Sequence, residues 1–76
     1  MTILEQVTAL VEKLLKVPAD KVTPSSRLVE DLGADSANVM VLIMDLEDAF
    51  NMTVDDTMIG RFKTVGDVVK YIEANL

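Results

Sequence analysis

The 76 residues of the chain include no Cys and no His. That removes thiolate and imidazole nucleophiles, the Ser-His-Asp triad, disulfides, and zinc sites built on these ligands. Carboxylates, hydroxyls and lysines are what remain for chemistry. Two features stand out by position. Glu30, Asp31, Asp35, Asp45, Glu47, Asp48, Asp55 and Asp56 fall between Arg27 and Arg61 with no basic residue among them. Ser36 lies inside this acidic window, directly after Asp35. Such a run is either a solvated face or an electrostatic footprint for a basic partner. It lacks the spacing of an EF-hand loop, and no metal site is expected. Ser36 has no base to activate it as a nucleophile. It suits a capping role at a helix start, or a modification, since free N–H groups and the helix dipole stabilise an attached phosphate.

Composition narrows the setting. Lys plus Arg is 7 against 13 for Asp plus Glu, a net charge of −6. Nucleic acid and anionic membrane reward basic patches, so neither is expected as a partner. A basic protein partner, or solubility alone, fits better. Apolar residues make up 50%, too many for a disordered chain. Aromatics are only 4%, so Val, Leu, Ile and Met must build the core. The length allows one domain with a thin core. The longest apolar run, Val39 to Met44, is far too short to span a membrane. Glu5 and Glu12 interrupt the first apolar stretch, and no basic segment precedes it, so no targeting signal is read and a cytosolic or organelle-matrix setting is expected.

The elements that must position Ser36 read as helices. Ile3, Leu4, Val7, Leu10, Val11, Leu14 and Leu15 form one helical stripe, with Thr2 and Glu5 as a capping box and Pro18 ending the pattern. Residues 16–34 form a long connection rich in turn formers, within which Leu28, Val29 and Leu32 are expected to fold inward. Gly33 supplies a positive-φ stop. A second helix runs Ser36 to Phe50 with Asp35 as N-cap. A short third covers Asp55 to Ile59 and ends at Gly60. A fourth covers Val65 to Ala74, with Thr64 as N-cap, Asp67 at the capping-box position, and Val65, Val68, Val69 and Ile72 as its stripe. No strand pattern competes. The expected fold is all-α: a bundle of three longer helices, one short third helix and a long first loop.

The second helix carries two apolar stripes. Val39, Leu42, Ile43, Leu46 and Phe50 share one arc, the expected core face, and Ala37, Met40, Val41 and Met44 share a nearly opposite one, with Asp45, Glu47 and Asp48 at or beside it. One stripe suffices for a surface helix. Either this helix is central and buried on most sides, or the second stripe is a docking patch, for which methionines and rim acids are suited. Periodicity leaves both open.

The run Glu30-Asp31-Leu32-Gly33-Ala34-Asp35-Ser36 resembles the prosthetic-group attachment motif of acyl carrier proteins of the dissociated type. The similarity extends to the long first loop, the Leu46-Glu47 then Phe50 pattern, the short acidic third helix and Tyr71-Ile72. The resemblance implies a single acyl carrier domain over residues 1–76, not an enzyme, monomeric and cytoplasmic. It implies 4′-phosphopantetheine, taken from coenzyme A by a phosphopantetheinyl transferase and held on Ser36 beside Asp35, with acyl groups carried as thioesters. A chain without Cys would thereby use an imported thiol. Partner enzymes (synthases, reductases, acyltransferases) with basic docking patches would read Ala37, Met40, Val41, Met44, Asp45, Glu47 and Asp48. An acyl chain would lie among Leu28, Leu42, Ile43, Leu46, Val54, Ile59, Phe62, Val68 and Ile72, for each of which plain core packing is the competing reading.

Three positions depart from the family's pattern. Ala37 stands where Leu is usual, Asn38 where an acid is usual, and Val41 where a partner-facing Glu is usual. The face near Ser36 has lost charge and gained apolar surface. The expected role is acyl carriage in fatty-acid biosynthesis or in a related specialised acyl or polyketide pathway. The alternative is an unmodified adaptor that keeps the fold and binds a partner through the second helix. An intrinsic hydrolase or transferase has no convincing constellation of residues.

Overall fold

The computed structural model describes residues 2–76. Three α-helices, α1 (Ile3–Leu15), α2 (Ser36–Phe50) and α3 (Val65–Asn75), are joined by a long loop and two 3₁₀ turns, Ala19–Lys21 and Asp56–Gly60. The expected all-α bundle is the observed one. Its short third helix is the 3₁₀ turn at Asp56–Gly60, capped by the Asp55 carboxylate, which accepts from the Thr57 N–H. The turn at Ala19–Lys21 was not legible in the sequence.

Local chemistry sets the helix starts. Thr2 and Glu5 form the expected capping box on α1, and Thr64 and Asp67 form one on α3. Each satisfies two N–H groups that a helix end otherwise leaves without partners. The stop of α1 is a left-handed Lys16 (φ 56°), two residues before Pro18, and Asn51 (φ 50°) ends α2 likewise.

Packing follows the stripes. α1 makes extensive contact with both α2 and α3, and α2 also meets the Asp56–Gly60 turn. Val7 and Val11, Val39, Leu42, Ile43 and Leu46, and Val65, Val68 and Ile72 are buried from the three helices. Phe50 and Val69 are half-buried at the core's edge. Phe62 packs edge-on against Tyr71, with ring centroids 5.5 Å apart.

The long loop is ordered by backbone pairing to the start of α3. Leu28 N–H donates to the Lys63 carbonyl (2.9 Å), Val65 N–H to Ser26 (3.0 Å) and Gly66 N–H to Pro24 (2.8 Å). Arg27 and Thr64 form an isolated antiparallel bridge. Gly66 is required by closeness: a Cβ there would stand 2.8 Å from the Pro24 carbonyl oxygen. Ser26 is buried, and its hydroxyl accepts from Thr23 N–H (2.9 Å) and donates to the Lys21 carbonyl (3.0 Å). A loop of this length holds its place because its polar groups are satisfied and Val22, Leu28, Leu32 and Ala34 reach the core.

One inward expectation fails. Leu28 and Leu32 are buried, but Val29 is 53% exposed. The segment is a helical turn in which residues four apart share a face, so burying 28 and 32 turns 29 outward. Arg27 clamps it: its N–H donates to Asp31 (2.8 Å) and its guanidinium makes two further bonds to the same carboxylate (3.2 Å each).

Candidate functional site at the start of the second helix

The loop delivers its last residues to α2 through Gly33, at φ +75°, and a bond from Ala34 N–H to the Leu28 carbonyl (2.9 Å). Asp35 then caps the helix. Its carboxylate accepts from Asn38 N–H (2.8 Å), and the Asn38 side-chain oxygen accepts from Asp35 N–H (3.2 Å). Asn38, which the sequence reading took only as a lost acid, thus closes a capping box. The three-residue spacing after Asp35 was the available signal, although Glu or Gln is the commoner partner.

This arrangement takes the capping role away from Ser36. The cap is Asp35, so the serine is the first residue inside the helix and is exposed. Among the described residues nothing hydrogen-bonds its hydroxyl. The first N–H groups of a helix also lack intrahelical acceptors and carry the positive end of its dipole. The oxygen is therefore free to be substituted, and a negative group placed on it meets favourable local charge.

Ser36 opens on a groove of about 220 Å³. Val29, Val39, Ile59 and Phe62 supply apolar walls, with Glu30, Gly60 and Lys63 completing the lining. Of the residues expected to surround an acyl chain, Ile59 and Phe62 line this groove. Leu28, Leu42, Ile43, Leu46, Val54, Val68 and Ile72 are, like Phe62, buried in the core. Sequence reasoning missed Val29, Val39 and Lys63 as groove residues, because the groove joins positions far apart in the chain.

The residues expected on the partner face divide. Met40, Val41 and Met44 are 52%, 42% and 62% exposed, and Ala37 is exposed with them. α2 is therefore not buried on most sides, and its second stripe faces solvent. Asp45 and Asp48 line a second open groove, about 560 Å³, against Leu10, Lys13, Leu14 and Ala49. Glu47 spends one oxygen internally, accepting from Val54 N–H (2.9 Å) and tying the end of α2 to the following loop.

Electrostatics near the site follow from hydrogen bonds. The Arg27 guanidinium, and then the Arg27 N–H, hold the Asp31 carboxyl below the usual carboxylate range. The Thr57 N–H and hydroxyl lower Asp55 in the same way. Among the described residues no three acidic side chains converge as a metal site, and no helix is long and apolar enough to cross a membrane.

Known proteins resemble this chain over nearly its whole length. A family model described as a phosphopantetheine attachment site matches residues 5–72. The chain is 47% identical over 75 residues to an acyl carrier protein of Helicobacter pylori, covering 99% of this chain and 96% of that one. It is 48% identical over 75 residues to an acyl carrier protein of Helicobacter hepaticus, covering 99% of each. Its fold superposes on the structure of the acyl carrier protein from Enterococcus faecalis with a TM-score of 0.84, at 34% identity and full coverage of both chains. Since the match runs through every helix that holds Ser36 in place, the chain belongs to the acyl carrier protein family, phosphopantetheine-bearing carriers that are not themselves enzymes.

Proposed function

We propose that Ser36 carries 4′-phosphopantetheine as a phosphodiester, on a chain that forms one carrier domain. The observation that carries this is the uncommitted Ser36 hydroxyl, exposed at the first position of α2 while Asp35 and Asn38 do the capping. The residues fit the group: an accessible hydroxyl, unpaired N–H groups at the helix start, and an apolar groove alongside. When bound, the arm supplies a thiol that holds acyl groups as thioesters. Asp35 and Asn38 fix the first turn of α2 and so hold the Ser36 backbone in place. Val29, Val39, Ile59 and Phe62 offer the arm or its cargo a surface shielded from water.

The installing enzyme is a phosphopantetheinyl transferase, and the users are acyl-chain synthases, reductases and acyltransferases. They dock on α2 through Met40, Val41 and Met44, with Asp45 and Asp48 steering basic residues at the edge. A contiguous exposed apolar stripe is the kind of surface that marks such contacts. The pathway is fatty-acid biosynthesis or a related specialised acyl or polyketide route, and the apolar Val41 favours the specialised one. We assign the chain to the cytoplasm as a monomer, as family membership supports.

The test is intact-mass measurement after incubation with coenzyme A and a broad-specificity transferase. One phosphopantetheine is expected on the native protein and none on Ser36→Ala. No addition to the native protein, or the same addition to the variant, would refute the assignment. If Ser36→Ala also preserved function in cells, the unmodified adaptor would be the correct reading.

A further inference from the structure

Lys63 lines the groove beside Ser36, yet nothing in carrier chemistry so far uses its charge. Its backbone is held firmly, the N–H donating to Asp67 (3.1 Å) and the carbonyl accepting from Leu28 N–H (2.9 Å). Its side chain is not held. Among the described residues the ion pairs are those of Arg27 with Glu30 and Asp31, so the Lys63 ammonium has no carboxylate within 4.0 Å. Glu30, the acid on the same groove, faces Arg27 instead, at 3.9 Å. Gly60, on the same rim, adds no side chain, and open space lies where a Cβ would stand.

Charge gives this lysine a purpose. The chain already carries −6, and Glu30, Asp31 and Asp35 all precede Ser36 within six residues. A phosphodiester on Ser36 adds another negative charge among them, and like charges at short range oppose its placement. Arg27 is occupied by Asp31, which leaves Lys63 as the uncommitted cation on the groove. Apolar walls beside it reduce the screening that water would provide.

We propose that Lys63 is a positioning residue that pairs with the phosphodiester carried on Ser36 and draws the 61–64 segment toward the start of α2. This rests on the attachment proposed above. The phosphate is bonded directly to the Ser36 oxygen and so is fixed at the groove. A carboxylate at the end of an acyl group is the other anion the loaded protein could present, but it sits at the far end of the arm.

The experiment compares apo and phosphopantetheinylated forms of the native protein, Lys63→Gln and Lys63→Arg, each verified by intact mass. The readouts are the ³¹P chemical shift of the phosphodiester and the difference in Tm between the two forms, at low salt and at 1 M salt. Lys63→Gln is expected to move the ³¹P resonance and to remove a stabilisation that loading gives the native protein. Lys63→Arg should retain that stabilisation, and high salt should shrink it. Equal resonances and equal Tm differences in native protein and Lys63→Gln would overturn the proposal while leaving attachment intact. A dependence on Lys63 that arises only after loading a dicarboxylic acyl group would overturn it in favour of the acyl carboxylate. No mass addition to the native protein would overturn both readings.

Discussion

On one face of α2, Val39, Leu42, Ile43 and Leu46 are buried against the bundle, while on the other Met40, Val41 and Met44 stand in solvent. The two faces are built from similar side chains, at interleaved positions of one helix. Burying the first contributes to folding, because each side chain leaves water for a packed interior. The second leaves its apolar area in water, where it gains no such burial within the chain and is open to the docking proposed above. The contrast shows that similar apolar side chains on one helix end in opposite environments according to what packs beside them. Among the described residues α1 and the Asp56–Gly60 turn pack against α2, and Met40, Val41 and Met44 stay exposed.

The contrast can be broken most sharply by truncation. Leu46→Ala should cost roughly 2–5 kcal/mol of unfolding free energy, because it opens a cavity at a fully buried site. Met44→Ala, on the outer face, should stay within about 0.5 kcal/mol. Urea unfolding of both variants tests the pair, and equal losses would mean that the outer face is structural.

Charge on the outer face gives a smaller effect. Val41→Glu should leave stability unchanged and improve docking to a fatty-acid ketosynthase by about 1 kcal/mol or less, the worth of an exposed ion pair. Steady-state kinetics with that enzyme read it. Unchanged kinetics would remove the main support for a specialised pathway.

The smallest effect lies in the loop that feeds α2, which is clamped by exposed charge rather than by burial. Asp31 is held below its ordinary range by Arg27. The unfolded chain therefore takes up its proton first as pH falls. The clamp's contribution is present above the unfolded value, near 3.9, and is lost as acidification passes through the lower folded value. Tm measured from pH 6 to pH 2 should fall less steeply for Asp31→Asn than for the native protein. The difference should shrink with added salt, since both side chains of the clamp are about half exposed.

Helix starts were legible because they are local. Thr2 with Glu5, Asp35, and Thr64 with Asp67 each need only three or four consecutive residues to satisfy the free N–H groups of a first turn. Gly33 was legible for a similar reason: a chain reversal before α2 requires the left-handed region, which glycine enters without strain. Val29 was misjudged because its direction depends on how the Arg27–Asp31 clamp closes a turn, a side-chain event that hydropathy does not register. Asn38 was read only for the charge it lacks, whereas its position three residues after the cap sets its role.

Residue types and their spacing were thus enough to define the helices, to exclude intrinsic thiol and imidazole chemistry, and to single out Ser36, since all of these are properties of composition or of short contiguous runs. They also marked Val39, Leu42, Ile43 and Leu46 as the core stripe of α2, but could not say whether the opposite stripe would be covered, nor that residues 29, 36 and 39 would share a groove with 59, 60, 62 and 63. Those outcomes depend on how α1, the long loop and the Asp56–Gly60 turn pack around α2. Burial is a relation between distant segments, and it exists only once the chain has closed on itself.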